Sequence, residues 1–353
     1  MRYGIKTGKC LRTIAVAALT GAAMLLLSAC AGAERQQEIE ALSQKYAVPD
    51  EKQLIVYTSH KEEVYLPIIR EFEERTGIWV ELHTGGTAQV FSEVKEASKE
   101  GRCDIMFGGG IESYEAQKDL FQPYKPQEVE YLDPDYVDDE SYWTPFTELP
   151  IVFVYNKKLV SFSEVPTTWT ELFDSKWKGQ IAFADPGNSG TSYTILSTME
   201  QLFGEEPQSL VPRFYEQLDG RILPSSGQII PEVSDGTFLI GITLEETAKK
   251  AEGGYEDISM LYPEDGTSAV PDGCAMVKNA PHSYNAGRFI DFVVSYDTQR
   301  YAVENFYRRS VRRDVGSNRG NTENFIKFDV ERSAREEEEV FSLWNAIAGQ
   351  EGE

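Results

Sequence analysis

The sequence predicts an α/β protein of two lobes joined by a hinge. Three observations carry that expectation. Short β-branched or aromatic segments alternate with amphipathic stretches of helical period. A Gly-, Ser- or Thr-rich turn stands at each strand-to-helix junction. The alternation is interrupted once, by a Pro-, Asp- and Tyr-rich stretch from Tyr124 to Tyr142, and then resumes. A chain of 353 residues with 41% hydrophobic content can fill two cores.

At the N-terminus, Arg2, Lys6, Lys9 and Arg12 precede an uncharged apolar run from Ile14 to Leu27, the pattern of a signal peptide. The run is shorter than the roughly 18 to 20 residues of a spanning helix. It closes on Leu27-Ser28-Ala29-Cys30, which resembles a bacterial lipobox. The resemblance implies that residues 1–29 are a lipoprotein signal peptide and that Cys30 becomes the acylated mature N-terminus. Two acyl chains anchor stably where one does not. Residues 30–53 are polar and read as a tether, and no further stretch is apolar enough to span a bilayer. The expected location is the cell envelope, on the outer face of the cytoplasmic membrane, with the lipid as the sole membrane contact.

Formal net charge is -24, and it becomes -28 (30 basic against 58 acidic residues) once the four cations before Cys30 are removed. Such acidity makes nucleic acid an improbable partner. It suits solubility outside the cell and would also suit a cationic ligand. Beyond Cys10 and Cys30 only Cys103 and Cys274 remain, too few for a metal cluster and enough for one disulfide, which the sequence leaves open.

The first unit runs from strand Leu54–Tyr57 through Thr58-Ser59-His60 to a helix carrying Val64, Ile68, Ile69 and Phe72. The second runs from strand Trp79–Leu82 through Thr84-Gly85-Gly86-Thr87 to a helix ending near Gly101. A third strand, Asp104–Phe107, meets Gly108-Gly109-Gly110. Strands alternating with helices in this way call for parallel pairing with helices on both faces. After the interruption, the apolar strand Leu149–Asn156 reads as the crossing into the second lobe. There a helical segment over Trp169 to Trp177, a strand Ile181–Ala184, the turn Asp185 to Ser192 and a helix to Phe203 follow. Two more strands are expected, Arg221–Leu223 before Ser225-Ser226-Gly227 and Phe238–Thr243 before Leu244-Glu245-Glu246. The chain then returns through Tyr262–Gly266 and a strand at Cys274–Val277. It ends in helices carrying Phe289, Phe292, Trp344 and Ile347, which are expected to complete the first lobe. The lobes so drawn are 54–148 with 263–348, and 149–262.

The segments Leu54-Ile55-Val56-Tyr57-Thr58-Ser59, Phe72-Glu73-Glu74-Arg75-Thr76-Gly77 and Asp104-Ile105-Met106-Phe107-Gly108-Gly109, together with the turn after Ala184, resemble the solute-binding proteins of ABC importers. The branch is the one that includes ferric-iron, phosphonate and sugar-phosphate binders. The resemblance implies a type 2 periplasmic-binding-protein fold whose lobes, each a mixed sheet flanked by helices, close on a ligand. It also implies a permease and an ATPase as partners, with no cofactor and a monomeric capture subunit.

Ligands of open α/β sheets bind beyond the carboxyl ends of strands, where helix N-termini point. Free N–H groups and the positive end of the helix dipole suit an anion there. Ser59, Thr87, Ser189 and Thr191 offer hydroxyls, while Gly86 and Gly190 allow close backbone approach, which amounts to a phosphate-like site built without arginine. Ordinary N-capping explains the same Ser and Thr residues equally well. His60 reads as a cleft residue or as a surface residue in a first helical turn.

In the ferric-iron binders a tyrosine pair follows the strand equivalent to Leu239–Thr243; this sequence has Leu244-Glu245-Glu246 there, although Tyr255 and Tyr262 are near. Iron capture is therefore the alternative reading, with no metal ligand assigned. Matching to the sugar-phosphate binders puts Glu245, with Ser226 beside it, against the polar tail of the ligand. No catalytic motif is present: Gly-x-Ser-x-Gly, Gly-x-x-x-x-Gly-Lys-Ser/Thr and His-Glu-x-x-His are all missing, so the chain reads as a binder and not an enzyme. A ligand-sensing subunit shares the same fold.

Overall fold

The computed structural model describes residues 47–316 and 324–350. The proposed signal peptide, Cys30 and most of the tether lie outside them. Strands β1 (Gln53–Thr58), β2 (Trp79–Thr84) and β3 (Ile105–Gly110) pair in parallel in the order β2-β1-β3, linked by helices α1 (Glu62–Thr76) and α2 (Thr87–Lys99). Helix α3 (Ile111–Ala116) follows β3 directly. Alternate strand residues feed two cores, as a period of two requires when both faces are covered. Leu54, Val56, Ile105 and Phe107 pack against Ile68 and Phe72 of α1, while Tyr57 and Met106 pack against Val90, Phe91 and Val94 of α2.

Strand β4 (Thr144–Asn156) joins the halves. Its first part pairs antiparallel with β8 (Ala269–Met276) and its second part with β6 (Ile240–Leu244) and β7 (Ile258–Leu261), so the switch falls between Pro150 and Ile151. β8 in turn pairs antiparallel with β3, and β5 (Ile181–Ala182) pairs in parallel with β6, so each half carries a mixed sheet. In the second half, Ile151 and Phe153 face a core with Trp169, Leu196 and Phe214, whereas Val152 and Val154 face Ile229 and Val233. The second-half helices are α4 (Gly190–Phe203), α5 (Pro207–Leu218), α6 (Ile229–Ser234) and α7 (Glu245–Gly254). Helices α8 (Ser283–Val293) and α9 (Tyr296–Phe306) return to the first core, followed by β9 (Arg309–Ser310) on β4 and a last helix, α10 (Val330–Gln350).

Three local expectations change. The segment 169–177 forms two 3-10 turns parted at Asp174, which is extended; Gln217 Nε2 donates to the carbonyls of Leu172 and Asp174 and takes up groups that a continuous helix would use. Arg221–Leu223 forms a single bridge, Leu223 with Ala184. Phe289 and Phe292 pack in the first lobe as expected, but Trp344 and Val340 of α10 complete the core of the second. Trp344 packs on Tyr215 and Phe183. Cys103 and Cys274 are both buried and free. Among the described residues no helix is long and apolar enough to cross a membrane.

Candidate functional site

A cavity of about 550 Å³ lies between the lobes, within the size range of small-molecule sites. Four helices begin at its wall: α1 after Lys61, α2 after Gly86, α4 after Ser189 and α7 after Leu244. Three of them, α1, α2 and α7, have no side-chain cap, which leaves first-turn N–H groups for a ligand. The fourth, α4, is capped by Ser189, whose hydroxyl accepts from the Ser192 N–H at 3.3 Å. The approach to α4 is rigid, because Asp185 accepts from the N–H groups of Gly187, Asn188 and Ser189.

Ser59, His60, Gly86, Thr87, Ser189, Gly190, Thr191 and Ser226 all line this cavity. The glycines stand where the lobes meet. A Cβ on Gly86 would come 3.2 Å from the Asn188 carbonyl, and one on Gly190 would come 3.0 Å from Thr87 Oγ1. Gly108 and Gly109, at φ +103° and +89°, let the end of β3 pass beneath Ser59 and His60, in a region that side chains disfavour. His60 is a buried wall residue and not a surface one: its ring meets Phe107 edge-on at 4.4 Å. Burial, with Arg308 adding to it, holds its pKa well below the ordinary imidazole value, so the ring is neutral. Its Nε2 stands 3.5 Å from Asp272 Oδ2, too long for a hydrogen bond.

Glu245 is the correction. It does not line the cavity; it is buried beneath it, and its Oε2 accepts from Arg309 Nε at 2.7 Å while Oε1 accepts from Arg309 Nη2 at 3.0 Å. Lys249 and the Tyr262 hydroxyl complete the cluster. Burial raises the pKa of Glu245, and these partners outweigh it, so the carboxylate stays charged. The neighbouring Glu246 lines the cavity instead. Burial opposes its charge, while Arg308, Lys250 and Lys61 more than compensate and hold its pKa below the ordinary range. A helix turns about 100° per residue, so adjacent first-turn residues face different ways.

Sequence reasoning also missed Arg308 and Lys61, and with them a cationic contribution to the cleft. Arg308 sits in the cavity wall, donating to Asp272 Oδ2 and to Thr147 Oγ1 at 2.9 Å, while its Nε has no partner. No local motif marks Arg308, which comes from the return of the chain after α9. Tyr255 is exposed, Tyr262 is occupied by Glu245 and Arg309, and among the described residues no tyrosine lines the cavity.

Fold and site together define a binding protein that encloses a small molecule between two lobes. Residues 104–329 match the family described as bacterial extracellular solute-binding protein, and the chain belongs to that family. Among its relatives, Iron uptake protein A1 of Synechocystis is 26% identical over 288 residues, covering 77% of this chain and 79% of the relative. A putative 2-aminoethylphosphonate-binding periplasmic protein of Salmonella typhi is 22% identical over 255 residues, covering 69% and 73%. The structure of the periplasmic binding protein AfuA from Actinobacillus pleuropneumoniae, with fructose-6-phosphate bound, superposes with a TM-score of 0.76 at 21% identity, covering 83% of this chain and 98% of AfuA. The family is one of solute-binding proteins, and this chain is a binding protein and not an enzyme.

Proposed function

We propose that the protein is the capture subunit of an ABC importer and that its ligand is a small organic anion carrying phosphate or phosphonate. The observation that carries this reading is the convergence of four helix N-termini on one cavity, with Lys61 and Arg308 in the wall. The anionic group docks at the Gly86-Thr87 and Ser189-Gly190-Thr191 turns, where the uncapped start of α2 and the dipoles of both helices favour it. Glu246 and Asp272 then face the remainder of the ligand, where they accept hydrogen bonds from hydroxyls or pair with an ammonium.

The likeness to Iron uptake protein A1 supports a second reading, ferric iron. Against it, the cavity offers His60, Asp272 and Glu246 without a tyrosine, and Asp272 is already engaged by Arg308 and Thr147. A thermal-shift panel separates the two. Stabilisation by phosphate monoesters or phosphonates is expected, and stabilisation by ferric iron alone would reverse the assignment.

Capture is read as occurring at the outer face of the membrane, with residues 1–29 removed, Cys30 acylated and 30–53 serving as a tether. The motive is the lipobox-like Leu27-Ser28-Ala29-Cys30. Cys30→Ser is expected to move the protein from the membrane fraction to the released fraction; continued retention would count against the anchor.

A further inference from the structure

Thr194 stands on the first turns of α4 and lines the cleft, and its hydroxyl faces two oxygens. One is the Gly190 carbonyl, at 3.0 Å. The other, across the boundary between the lobes, is Oε1 of Glu112 on α3. A hydroxyl has a single proton to donate. With Glu112 ionised, Thr194 faces two acceptors and one of them goes without. A buried polar group left in that condition is costly, and a charged one more so. Glu112 is fully buried, and its Oε2 has no hydrogen-bond partner among the described residues. With Glu112 protonated the count at Thr194 closes: the Glu112 O–H donates to Thr194 Oγ1, Thr194 donates to the Gly190 carbonyl, and Oε2 is left as a neutral carbonyl oxygen, less costly to bury than a charged one.

The surroundings point the same way. Burial is the main cause that pushes the Glu112 carboxyl up to about 7; Thr194 opposes it and the Glu337 charge adds to it. Glu337 faces it from α10, hydrogen-bonded to Ser113 and itself shifted upward by burial. Tyr193 and, further along, Glu200 belong to α4. Lys95 of α2 lines the same small cavity as Glu337. Asp272 of β8, paired in register with Gly110, is shifted upward by burial, with Arg308 and Thr147 opposing the shift.

We propose that Glu112 is a positioning residue carried protonated in the binding-competent protein, and that it couples anion capture to a proton. Ionising it sets a negative charge behind the start of α4, where the anionic group docks, and removes the donor that ties α3 to Thr194. When the ligand meets the ionised form, one proton moves from solvent to Glu112 Oε1 and no other bond forms or breaks. The coupling rests on the phosphate-class reading of the cleft; the position of the proton does not.

Calorimetry with 2-aminoethylphosphonate and fructose-6-phosphate at pH 6 and pH 8.5 tests the coupling, with the wild type and Glu112→Gln compared so that the ligand's own titration cancels. The Gln amide supplies Thr194 with a hydrogen bond at every pH. Relative to Glu112→Gln, the wild type is expected to lose about 30-fold in affinity between the two pH values, the linkage expected for a group titrating near 7. Equal pH dependence in the two proteins overturns the coupling. In the ligand-free protein, the infrared absorption of protonated carboxyls at pH 6 should be larger in the wild type than in Glu112→Gln, the share of Glu200 and Glu337 being common to both, and this difference should largely vanish at pH 8.5; no difference at pH 6 overturns the assignment of the proton. Thr194→Val removes the acceptor and should shift the Glu112 share of that absorption to the higher frequency of a free acid, and no shift counts against the relay. If neither compound binds either protein, the phosphate-class reading falls and the coupling falls with it, while the infrared result still decides the proton.

Discussion

Two pairs of neighbouring like charges, Arg308 with Arg309 and Glu245 with Glu246, are divided between support and binding. Arg309 and Glu245, each about 1% exposed, pair beneath the cleft and straddle the point where β4 passes between the lobes. Arg308 and Glu246 face the cavity. The two carboxylates should therefore fail differently. Glu245→Gln leaves Arg309 buried with its charge uncompensated, a change that costs on the order of 3 kcal/mol of stability and lowers the melting temperature. Glu246→Gln should weaken ligand binding about tenfold or more through a lost charge-assisted hydrogen bond, with little change in melting. Calorimetry and thermal melts on both variants check this, and wild-type melting with weakened binding in Glu245→Gln would restore that residue to the site. The type and position of this acidic pair were legible in the sequence. Which member faces the ligand was not, because that depends on the rotation of α7 and on an arginine 64 residues away.

At the scale of elements, α4 shows what a local pattern conveys and what it conceals. Its start at the Asp-Pro-Gly-Asn-Ser-Gly turn and its end at Phe203 follow from turn chemistry and apolar period. That Glu200 lies inside the protein with both oxygens unpartnered does not. Burial first, and then the Glu336 charge, push its carboxyl from an ordinary 4.5 up to about 8. The folded state therefore holds this proton more tightly than the unfolded chain. The stability it contributes is fully present below about pH 4.5 and is lost as pH rises through about 8. The melting temperature is expected to fall between pH 5 and pH 8, and Glu200→Gln, which needs no proton, should flatten the fall by a few degrees. Parallel melting curves for the two proteins across that range would show that Glu200 does not titrate there. Glu112 and Glu337 shift in the same direction and leave part of the slope in the variant.

For the molecule as a whole, the lobes touch at both lips of the cleft. Gly86 and Thr87 meet Asn188 and Gly190 on one side, and Glu63 pairs with Lys250 at 2.8 Å on the other. Among the described residues the lobes are joined by β4 at Pro150–Ile151 and by the return that leads into β8, and α10 packs on both α3 and α5. Ligand held between the lobes should favour this closed arrangement over an open one. Small-angle scattering is expected to show a more compact particle on saturation with a ligand from the panel, and superimposable profiles with and without it would argue against hinge motion. The net charge of -24 opposes an anion at long range, but screening over about 8 to 10 Å leaves the decision to the local helix ends.

The sequence by itself determined the two-lobe α/β plan, the strand-to-helix turns and the hydroxyls and glycines that those turns bring to the cleft. Each of these rests on short-range chemistry: a period of two or of 3.6, a cap, or a glycine where backbones approach. Tertiary structure alone decided that Arg308 enters the wall, that Glu246 and not Glu245 lines the cavity, that the His60 ring is buried neutral, and that Trp344 packs into the second lobe. The physical reason is common to all four. Burial and pairing are set by residues far apart in the chain, and a charged side chain reads the same in sequence whether it meets water, a ligand or a counter-ion 64 residues away.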